Sequence, residues 1–354
     1  MNIYTITCSN AYNYGAVLQA YALQKYLEKK GHNVTIINYI PTYLRKISSK
    51  YRNNLLAILV RKILYTPDYQ KSKLVFGEFH KGYLKETEKK YNSWESLREL
   101  PPADLYIAGS DQIWNPYMEN GLDINYYLDF AQGRKISYAA SIGCDKVEEK
   151  YDEYFKKRLK DFERVTVREK NTCEYFNNIG IATDYVVDPV FLLDKKEWNR
   201  ICQFSSCERY IIVYALHHVQ KIYDYAKNLS KELGAKMYVI SVELKEKRRG
   251  NNLFFWNPKV NEYLGLIQNA EAVVTNSFHG ASFGMIFGKP IHIFDTEKND
   301  NRLKNLINIF QLENRVVTLD NKRLLPNLVS GDTKKIMEGE IVRSKRILDG
   351  MVGE

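Results

Sequence analysis

The stretch MNIYTITCSNAYNYGAVLQAYALQKYLEKKGHNVTIINYI (1–40) decides the fold. Residues 2–8 and 33–39 alternate in polarity and are rich in β-branched side chains, which predicts two strands. Between them, residues 15–30 place apolar side chains at helical spacing, and Gly31 marks the end of that helix. A strand, a helix and a second strand in this order build parallel sheets. The opening therefore predicts an α/β fold.

The alternation of strands and helices continues along the chain and divides it in two. A run around Pro189 and a charged segment at 194–200 separate one α/β series from the next. We predict an N-terminal Rossmann-like domain over 1–190 and a C-terminal Rossmann-like domain over 191–330, facing each other across a cleft. A C-terminal helix in 331–354 can pack across the two lobes.

Composition excludes several classes of protein. With 45% hydrophobic and 13% aromatic residues the chain is not disordered, and its apolar runs fall short of the roughly 20 residues that cross a bilayer. Five scattered cysteines without a CxxC pair indicate reduced thiols. No basic leader precedes an apolar stretch at the N-terminus. We therefore expect a cytoplasmic protein, which can also be peripheral at the inner face of the membrane.

The charge balance indicates the class of partner. The 52 Lys and Arg residues outnumber the 42 Asp and Glu residues, for a net charge of +10, which favours anionic partners. The basic segment at 43–65 can lie on an anionic membrane surface, or it can form a helix whose apolar face joins the core. No helix-turn-helix or RNA-binding signature accompanies the charge, so nucleic acid is not an expected partner.

The loops beyond the carboxyl ends of parallel strands are where ligands bind, so they hold the candidate residues. In the loop at 9–16, the backbone amides near Asn13, Tyr14 and Gly15 are candidates for binding an anion or a sugar hydroxyl. In the alternative interpretation Asn13 only caps the helix that follows.

The loop GSDQIWNP (109–116) follows an apolar strand directly. Asp111 is a candidate general base toward a sugar hydroxyl, and Trp114 is a candidate for stacking on the face of the sugar ring. Gln112 and Asn115 add polar groups that suit an acceptor. Alternatively, Asp111 caps a turn and Trp114 lies in the core.

Arg168 ends a strand predicted at 165–167. Its guanidinium is a candidate for bidentate binding of a phosphate or a carboxylate. Pairing with Glu169 or with another local acid is the alternative.

Three histidines bear on the chemistry. In the sequence TNSFHGASFG, His279 stands near a predicted helix start, where it can bind phosphate or act as a general acid, with Ser277 and the amides after Gly280 as donors. A structural histidine is the alternative. His217 and His218 are adjacent, so on a strand they point to opposite faces, and we predict no metal site.

Six motifs together resemble one known family. They are NYGAVLQAYAL (13–23), GSDQIWNP (109–116), SYAASIG (137–143), VREK (167–170), VVDPVFLL (186–193) and TNSFHGASFGMIFGKP (275–290). In this order they resemble the polysaccharide pyruvyl transferase family over nearly the whole chain. The resemblance implies a GT-B-like pair of Rossmann-type domains and transfer of pyruvate from phosphoenolpyruvate to a sugar of a surface glycan, giving a ketal. It implies no metal or other cofactor, with phosphoenolpyruvate as co-substrate.

The resemblance also implies roles for individual residues. We assign Asp111 of the first lobe, the acceptor side, as base, and His279 of the second lobe, the donor side, as acid or phosphate ligand, brought together as the cleft closes. Many family members have Arg-Phe-His-Gly where this chain has Ser-Phe-His-Gly, so an arginine is missing at Ser277. Arg302 can replace it in donor binding, with Arg168 facing it. The implied acceptor is a saccharide or a lipid-linked oligosaccharide.

Two other functions stay open at this point. One is a GT-B glycosyltransferase that uses a nucleotide sugar in envelope polysaccharide synthesis, with Glu297 as the nearby carboxylate for a ribose. The other is a non-catalytic glycan-binding protein in which Asp111 and His279 are packing residues.

Overall fold

The computed structural model describes residues 1–45, 55–216, 219–249, 253–294, 301–317 and 331–353, with the backbone alone at 44–45, 55–65 and 248–249. The chain divides into two compact units. Unit 1 comprises Met1–Ile47, His80–Leu193 and Met337–Glu354, and unit 2 comprises Ser48–Phe79 and Asp194–Ile336.

Strands and helices alternate through both units. The strands are β1 (Asn2–Ile6), β2 (Asn33–Ile36), β3 (Leu105–Ala108), β4 (Arg134–Ser137), β5 (Val165–Val167), β6 (Thr183–Tyr185), β7 (Tyr210–Tyr214), β8 (Lys236–Ser241), β9 (Leu253–Trp256), β10 (Val273–Thr275) and β11 (Ile291–Ile293). The helices are α1 (Tyr14–Lys29), α2 (Leu55–Tyr83), α3 (Trp94–Leu97), α4 (Asp152–Leu159), α5 (Lys170–Asn178), α6 (Lys195–Asn199), α7 (Gln220–Glu232), α8 (Val260–Asn269), α9 (Phe278–Ile286), α10 (Asn301–Phe310) and α11 (Gly331–Val352).

The sheet of unit 1 is parallel. Its hydrogen-bonded order is β2-β1-β3-β4, and β5 pairs with β6 in parallel. Single bridges from Ile136 to Arg164 and from Ala140 to Val167 connect the two parts. The strand order reverses between β1 and β3, which is where open α/β sheets bind their ligands.

The first forty residues fold as the sequence predicts. Helix α1 connects β1 to β2, and these two strands pair in parallel. Gly31 has φ +85°, a left-handed conformation that glycine adopts without steric cost, so it ends the helix and turns the chain toward β2. The local pattern therefore fixes this β-α-β unit.

The sheet of unit 2 is also parallel, in the order β11-β10-β7-β8-β9. Counted within the unit, this is the 3-2-1-4-5 order of a Rossmann fold. The order reverses between β7 and β10, so the loops that follow these two strands form its ligand-binding edge. Two Rossmann-like α/β units were expected and are confirmed, whereas the cleft between them stays a prediction.

The composition of the units differs from the predicted domains. Residues 48–79 belong to unit 2 and residues 191–193 belong to unit 1. The predicted C-terminal segment 331–354 is divided, with Met337–Glu354 in unit 1. The end of α11 is held on unit 1, since Asp349 accepts from the Tyr26 hydroxyl at 2.8 Å and the Ser344 hydroxyl oxygen accepts from the backbone N–H of Val187 at 3.0 Å.

Much of the basic segment at 43–65 lies outside the described residues, so its contact with a membrane stays a prediction. Residues 46–54 are not described, and only the backbone is described at 55–65. No helix in the described ranges is both long enough and apolar enough to cross a bilayer.

Candidate active site

The loops that follow β1 and β3 meet at the switch point of unit 1. β1 and β3 are parallel neighbours, so their carboxyl ends bring residues 7–13 beside residues 109–116. The Thr7 hydroxyl donates to the backbone carbonyl of Ser110 at 2.6 Å and joins the two loops.

Asp111 occupies a constrained position in this edge. Its φ of +81° lies in the left-handed region, which is unusual for a residue with a side chain. Its Oδ1 accepts from the backbone N–H of Gln112 at 2.8 Å, so the carboxylate caps its own turn, as in the alternative interpretation of the sequence. The side chain is half-buried. The carboxylate therefore orders its own loop.

A thiol and an amide lie beside Asp111. The Asn120 amide donates to the backbone carbonyl of Gln112 at 2.6 Å and to the Cys8 sulfur at 3.7 Å. Burial, and after it the negative charge of Asp111, raises the pKa of Cys8 to about 12. Cys8 is therefore a neutral thiol at physiological pH and not a nucleophile.

Two tyrosines share one carboxylate near the same edge, and sequence reasoning missed them. The hydroxyls of Tyr39 and Tyr43 donate to Asp123 Oδ2 at 2.6 and 3.0 Å. Burial and the charge of Asp123 raise the pKa of both phenols well above the ordinary value. Tyr39 follows β2 closely, and a position just after a strand could have marked it as a candidate. Asp123 stands 84 residues further along the chain, so the sequence does not show that the two residues meet.

The loop after β1 is a helix cap. Asn13 Oδ1 accepts from the backbone N–H of Gly15 at 2.8 Å, and Asn13 is exposed. Tyr14 is 0% exposed and belongs to the core. The amide of Gly15 is used by the cap, as in the alternative interpretation, and the side chain of Tyr14 meets no solvent. A binding role for the backbone amide of Tyr14 stays a prediction.

Trp114 and Asn115 also serve the fold. The indole of Trp114 is 0% exposed, and its N–H donates to the carbonyl of Tyr126 at 3.1 Å. Asn115 is buried, and its Oδ1 accepts from the backbone N–H of Tyr117 at 3.1 Å. The expectation that Trp114 stacks on a sugar is therefore wrong for this structure, because the ring offers no free face. Gln112, in contrast, is half-buried and reaches the carbonyl of Gly143 at 3.4 Å.

Arg168 is buried among acids. Its Nη1 donates to Asp188 Oδ2 at 2.6 Å and its Nε donates to Glu169 Oε1 at 3.2 Å. Only 2% of the residue is exposed. The expected bidentate binding of a donor is corrected to the alternative interpretation, because two buried carboxylates already engage the guanidinium.

The switch point of unit 2 is tied together by polar contacts. The Thr275 hydroxyl donates to the carbonyl of Tyr214 at 2.6 Å, and Asn276 Oδ1 accepts from the backbone N–H of Leu216 at 2.8 Å. The loops after β7 and β10 are thereby joined where the strand order reverses. His217 and His218, which follow Leu216, lie outside the described residues.

Helix α9 begins at this switch point. Ser277 is its N-cap, and the Ser277 hydroxyl oxygen accepts from the backbone N–H of Gly280 at 3.3 Å. His279 is the second residue of the helix and is 6% exposed. A Cβ at Gly280 would lie 2.5 Å from Thr275 Oγ1, so a glycine is needed for the helix to approach the strand. The positive end of the helix dipole therefore lies at this edge of unit 2.

Arg302 stands in the first turn of α10 with a half-buried side chain, and Glu297 lies outside the described residues. Across the described ranges, His, Cys, Asp and Glu side chains nowhere gather in groups of three that suit a metal ion.

A model of the polysaccharide pyruvyl transferase family matches residues 13–298. The chain belongs to the polysaccharide pyruvyl transferase family. As a member of this family it is a transferase. Among curated proteins, none matches the sequence.

Several solved structures resemble this transferase. The UDP-GlcNAc 2-epimerase of Neisseria meningitidis, bound to UDP-GlcNAc, is 11% identical with a TM-score of 0.49, and the match covers 100% of both chains. The UDP-N-acetylglucosamine 2-epimerase of Rickettsia bellii is 12% identical with a TM-score of 0.48 and covers 99% of this chain and 96% of that one. The ADP-heptose lps heptosyltransferase II of E. coli is 14% identical with a TM-score of 0.41 and covers 98% and 100%. The family assignment rests on the family model.

The residues of the transferase that the sequence singled out form two groups. Asp111 and Gln112 lie together at the carboxyl edge of the unit 1 sheet, beside Cys8. A second group lies at the carboxyl edge of the unit 2 sheet and consists of Ser277, His279 and Gly280.

Proposed function

We propose that the protein transfers the pyruvyl group of phosphoenolpyruvate to two hydroxyls of one sugar in a cell-surface glycan or its precursor, forming a ketal. The observation that carries the proposal is that each sheet has one acid–base residue of a family motif at its switch point. These residues are Asp111 in unit 1 and His279 in unit 2.

The reaction needs both a base and an acid. In the first addition, a sugar oxygen bonds to C2 of the enol, a proton is added to C3 to give a methyl group, and the hydroxyl proton goes to a base. In the second step the oxygen of another sugar hydroxyl bonds to C2 as the C2–O bond to phosphate breaks. Phosphate leaves with the electron pair and takes the proton of this second hydroxyl. Asp111 is assigned to hydroxyl deprotonation and His279 to proton delivery or phosphate binding.

The donor is doubly anionic, which suits the unit 2 group. The amino end of α9 carries a partial positive charge, and His279 stands in its first turn. Arg302, in the first turn of α10, is assigned to the donor in place of the arginine that is missing at Ser277.

The test measures release of phosphate from phosphoenolpyruvate, with and without a panel of methyl hexopyranosides and lipid-linked oligosaccharides, and detects the ketal by mass spectrometry. We expect acceptor-dependent release by the wild type. Asp111→Asn and His279→Gln should each lower kcat at least about 100-fold, since general acid–base catalysis contributes about 10² to 10⁴. Asp129→Asn, which removes a surface carboxylate paired with Arg158, is the matched control and should retain activity.

Donor binding is tested separately by thermal shift, which needs no acceptor. A ligand that binds the native state raises the melting temperature, so phosphoenolpyruvate should raise it and nucleotide sugars should not. A shift with a nucleotide sugar alone would replace the proposed donor. Full turnover by both variants would remove Asp111 and His279 from the mechanism.

A further inference from the structure

The backbone of Asp111 is held in a conformation that it would not keep unaided. A left-handed φ on a residue with a side chain is sterically unfavourable and persists where the surroundings fix it. Here φ is +81°. The Asp111 carbonyl accepts from the backbone N–H of Ile113 at 2.7 Å and from that of Ser141 at 3.0 Å. The position of its carboxylate therefore depends on groups outside its own turn.

One such group is Ser110, the residue directly before Asp111. Ser110 is 0% exposed. Its carbonyl accepts from the Thr7 hydroxyl at 2.6 Å, and its own hydroxyl donates to Asp188 Oδ2 at 3.1 Å. Ser110 is thus fixed through both its backbone and its side chain.

Arg168 binds this arrangement from one side. Its Nη1 donates to Asp188 Oδ2 at 2.6 Å and to the Ser110 hydroxyl oxygen at 3.4 Å. The guanidinium, the carboxylate and the hydroxyl therefore form a closed triangle directly before Asp111.

Arg168 also reaches Asp111 by a second route. Its Nε donates to Glu169 Oε1 at 3.2 Å, and the same oxygen accepts from the Ser141 hydroxyl at 2.6 Å. The backbone N–H of Ser141 donates to the carbonyl of Asp111. One guanidinium thus supports the residue before Asp111 and the residue that binds the Asp111 carbonyl.

Arg168 and the carboxylates that pair with it are charged although they are buried. Burial alone would lower the pKa of Arg168, but Glu169, Asp188 and Asp111 raise it, so the guanidinium stays charged. Burying an ion is costly, and replacing a buried ion pair with apolar side chains often leaves a protein as stable. Net stability therefore does not explain why Arg168, Glu169 and Asp188 are buried together. Geometric specificity at the adjacent loop is the stronger reason.

We propose that Arg168 is a positioning residue, which holds Asp111 in place through Ser110 and Ser141 and does not bind the donor. This inference rests on the proposed function, in which Asp111 removes a proton from the acceptor.

The principal variant is Arg168→Lys, which keeps the charge and removes the planar fork. A misplaced catalytic group costs up to about 100-fold, so kcat should fall by about 10- to 100-fold. The KM for phosphoenolpyruvate should stay within about twofold, because no donor contact is removed. Ser110→Ala should lower kcat in the same direction by a smaller factor. Arg164→Lys is the matched control, since Arg164 is exposed and pairs with Asp184, and it should keep the wild-type kcat.

A double-variant cycle asks whether Arg168 acts through Asp111. Residues that act as a unit show non-additive losses. Adding Arg168→Lys to Asp111→Asn should therefore lower kcat by less than about threefold relative to Asp111→Asn alone. The proposal would be overturned if the kcat losses of the two single variants multiplied in the double variant. A tenfold rise in the KM of Arg168→Lys for phosphoenolpyruvate, with kcat unchanged, would also overturn it.

Crystal structures of Ser110→Ala and Arg168→Lys give a readout without activity. We expect Asp111 to leave the left-handed region in at least one of them, and its retention in both overturns the positioning role. Ser110→Ala carries the kinetic test alone if Arg168→Lys does not fold. A wild type without phosphoenolpyruvate turnover overturns the proposed function, whereas an active wild type matched by both variants overturns the positioning role.

Discussion

The indole of Trp114 lies parallel to the phenol ring of Tyr127, with the ring centroids 5.5 Å apart and the planes inclined by 8°. Phe162 and Phe176 pack against it at steep angles, with ring centroids 6.0 and 6.1 Å away, and Trp114 is 0% exposed. Trp114 stands three residues after Asp111, so this aromatic cluster anchors the loop that carries the proposed base. The stacking partner of Trp114 is thus another side chain of unit 1.

We predict that Trp114→Ala lowers the free energy of unfolding by about 3–5 kcal/mol, because a large buried aromatic ring leaves a cavity. Urea denaturation followed by circular dichroism measures it. Met118→Ala, at a residue that is 47% exposed, is the control and should change the value by less than about 0.5 kcal/mol. A stable Trp114→Ala variant with weakened acceptor binding would instead restore the sugar-stacking role.

Two helical glycines should respond to alanine in opposite directions. A Cβ at Gly280 would lie 2.5 Å from Thr275 Oγ1 and 3.1 Å from the ring of Tyr214, so Gly280→Ala should destabilise unit 2 by about 1–3 kcal/mol. A Cβ at Gly339 in α11 would meet nothing within 4 Å, so Gly339→Ala should stabilise by about 0.5–1 kcal/mol. Thermal unfolding of the two variants measures both effects. Equal shifts in the melting temperature of the two variants would show that the structure tolerates a Cβ at Gly280.

The local parts of the fold could be predicted from the sequence. The β-α-β opening, its end at Gly31 and the polar loops after β1 and β3 all depend on residues within one or two turns of each other. Periodicity and turn chemistry report such neighbours directly. The position of Asp111 at the edge of the sheet could therefore be predicted from the sequence alone.

The partners of buried polar and aromatic residues could not be predicted in the same way. Arg168 pairs with Asp188, twenty residues further on, and Trp114 stacks on Tyr127. Asp68 binds Trp256, 188 residues away, which joins 48–79 to unit 2. A motif shows that a charged or aromatic residue is present, but only the packing shows whether it faces a ligand or another side chain.

His292 should make stability depend on pH. Burial, and after it the charge of Arg315, lowers the pKa of His292 from 6.5 to about 4, and Nδ1 is hydrogen-bonded to the Tyr225 hydroxyl at 2.8 Å. The unfolded chain binds a proton below pH 6.5 while the native protein does not, so protons favour unfolding. The contribution is complete above about pH 6.5 and falls by up to about 1.4 kcal/mol per pH unit toward pH 4.

The variant His292→Gln isolates this contribution. Urea denaturation at pH 7, 6 and 5 should give a flatter pH dependence for the variant than for the wild type, because the titrating group is gone. His32→Gln, at a half-buried histidine of unit 1, is the control for removing one imidazole. If the stability of all three proteins depended on pH in the same way, His292 would not be the source of the pH dependence.

Asp68 should fasten α2 to the loop that follows β8 and to the end of β9. Asp68→Ala removes the acceptor of the Leu244 N–H and of the Trp256 indole, so we expect a loss of about 1–3 kcal/mol of unfolding free energy and a shift in tryptophan emission. Asp68→Asn keeps an acceptor oxygen and should lose less unfolding free energy than Asp68→Ala. Trp256→Phe in the Asp68→Ala background should abolish the emission shift. An unchanged spectrum in Asp68→Ala would mean that the carboxylate does not hold the indole.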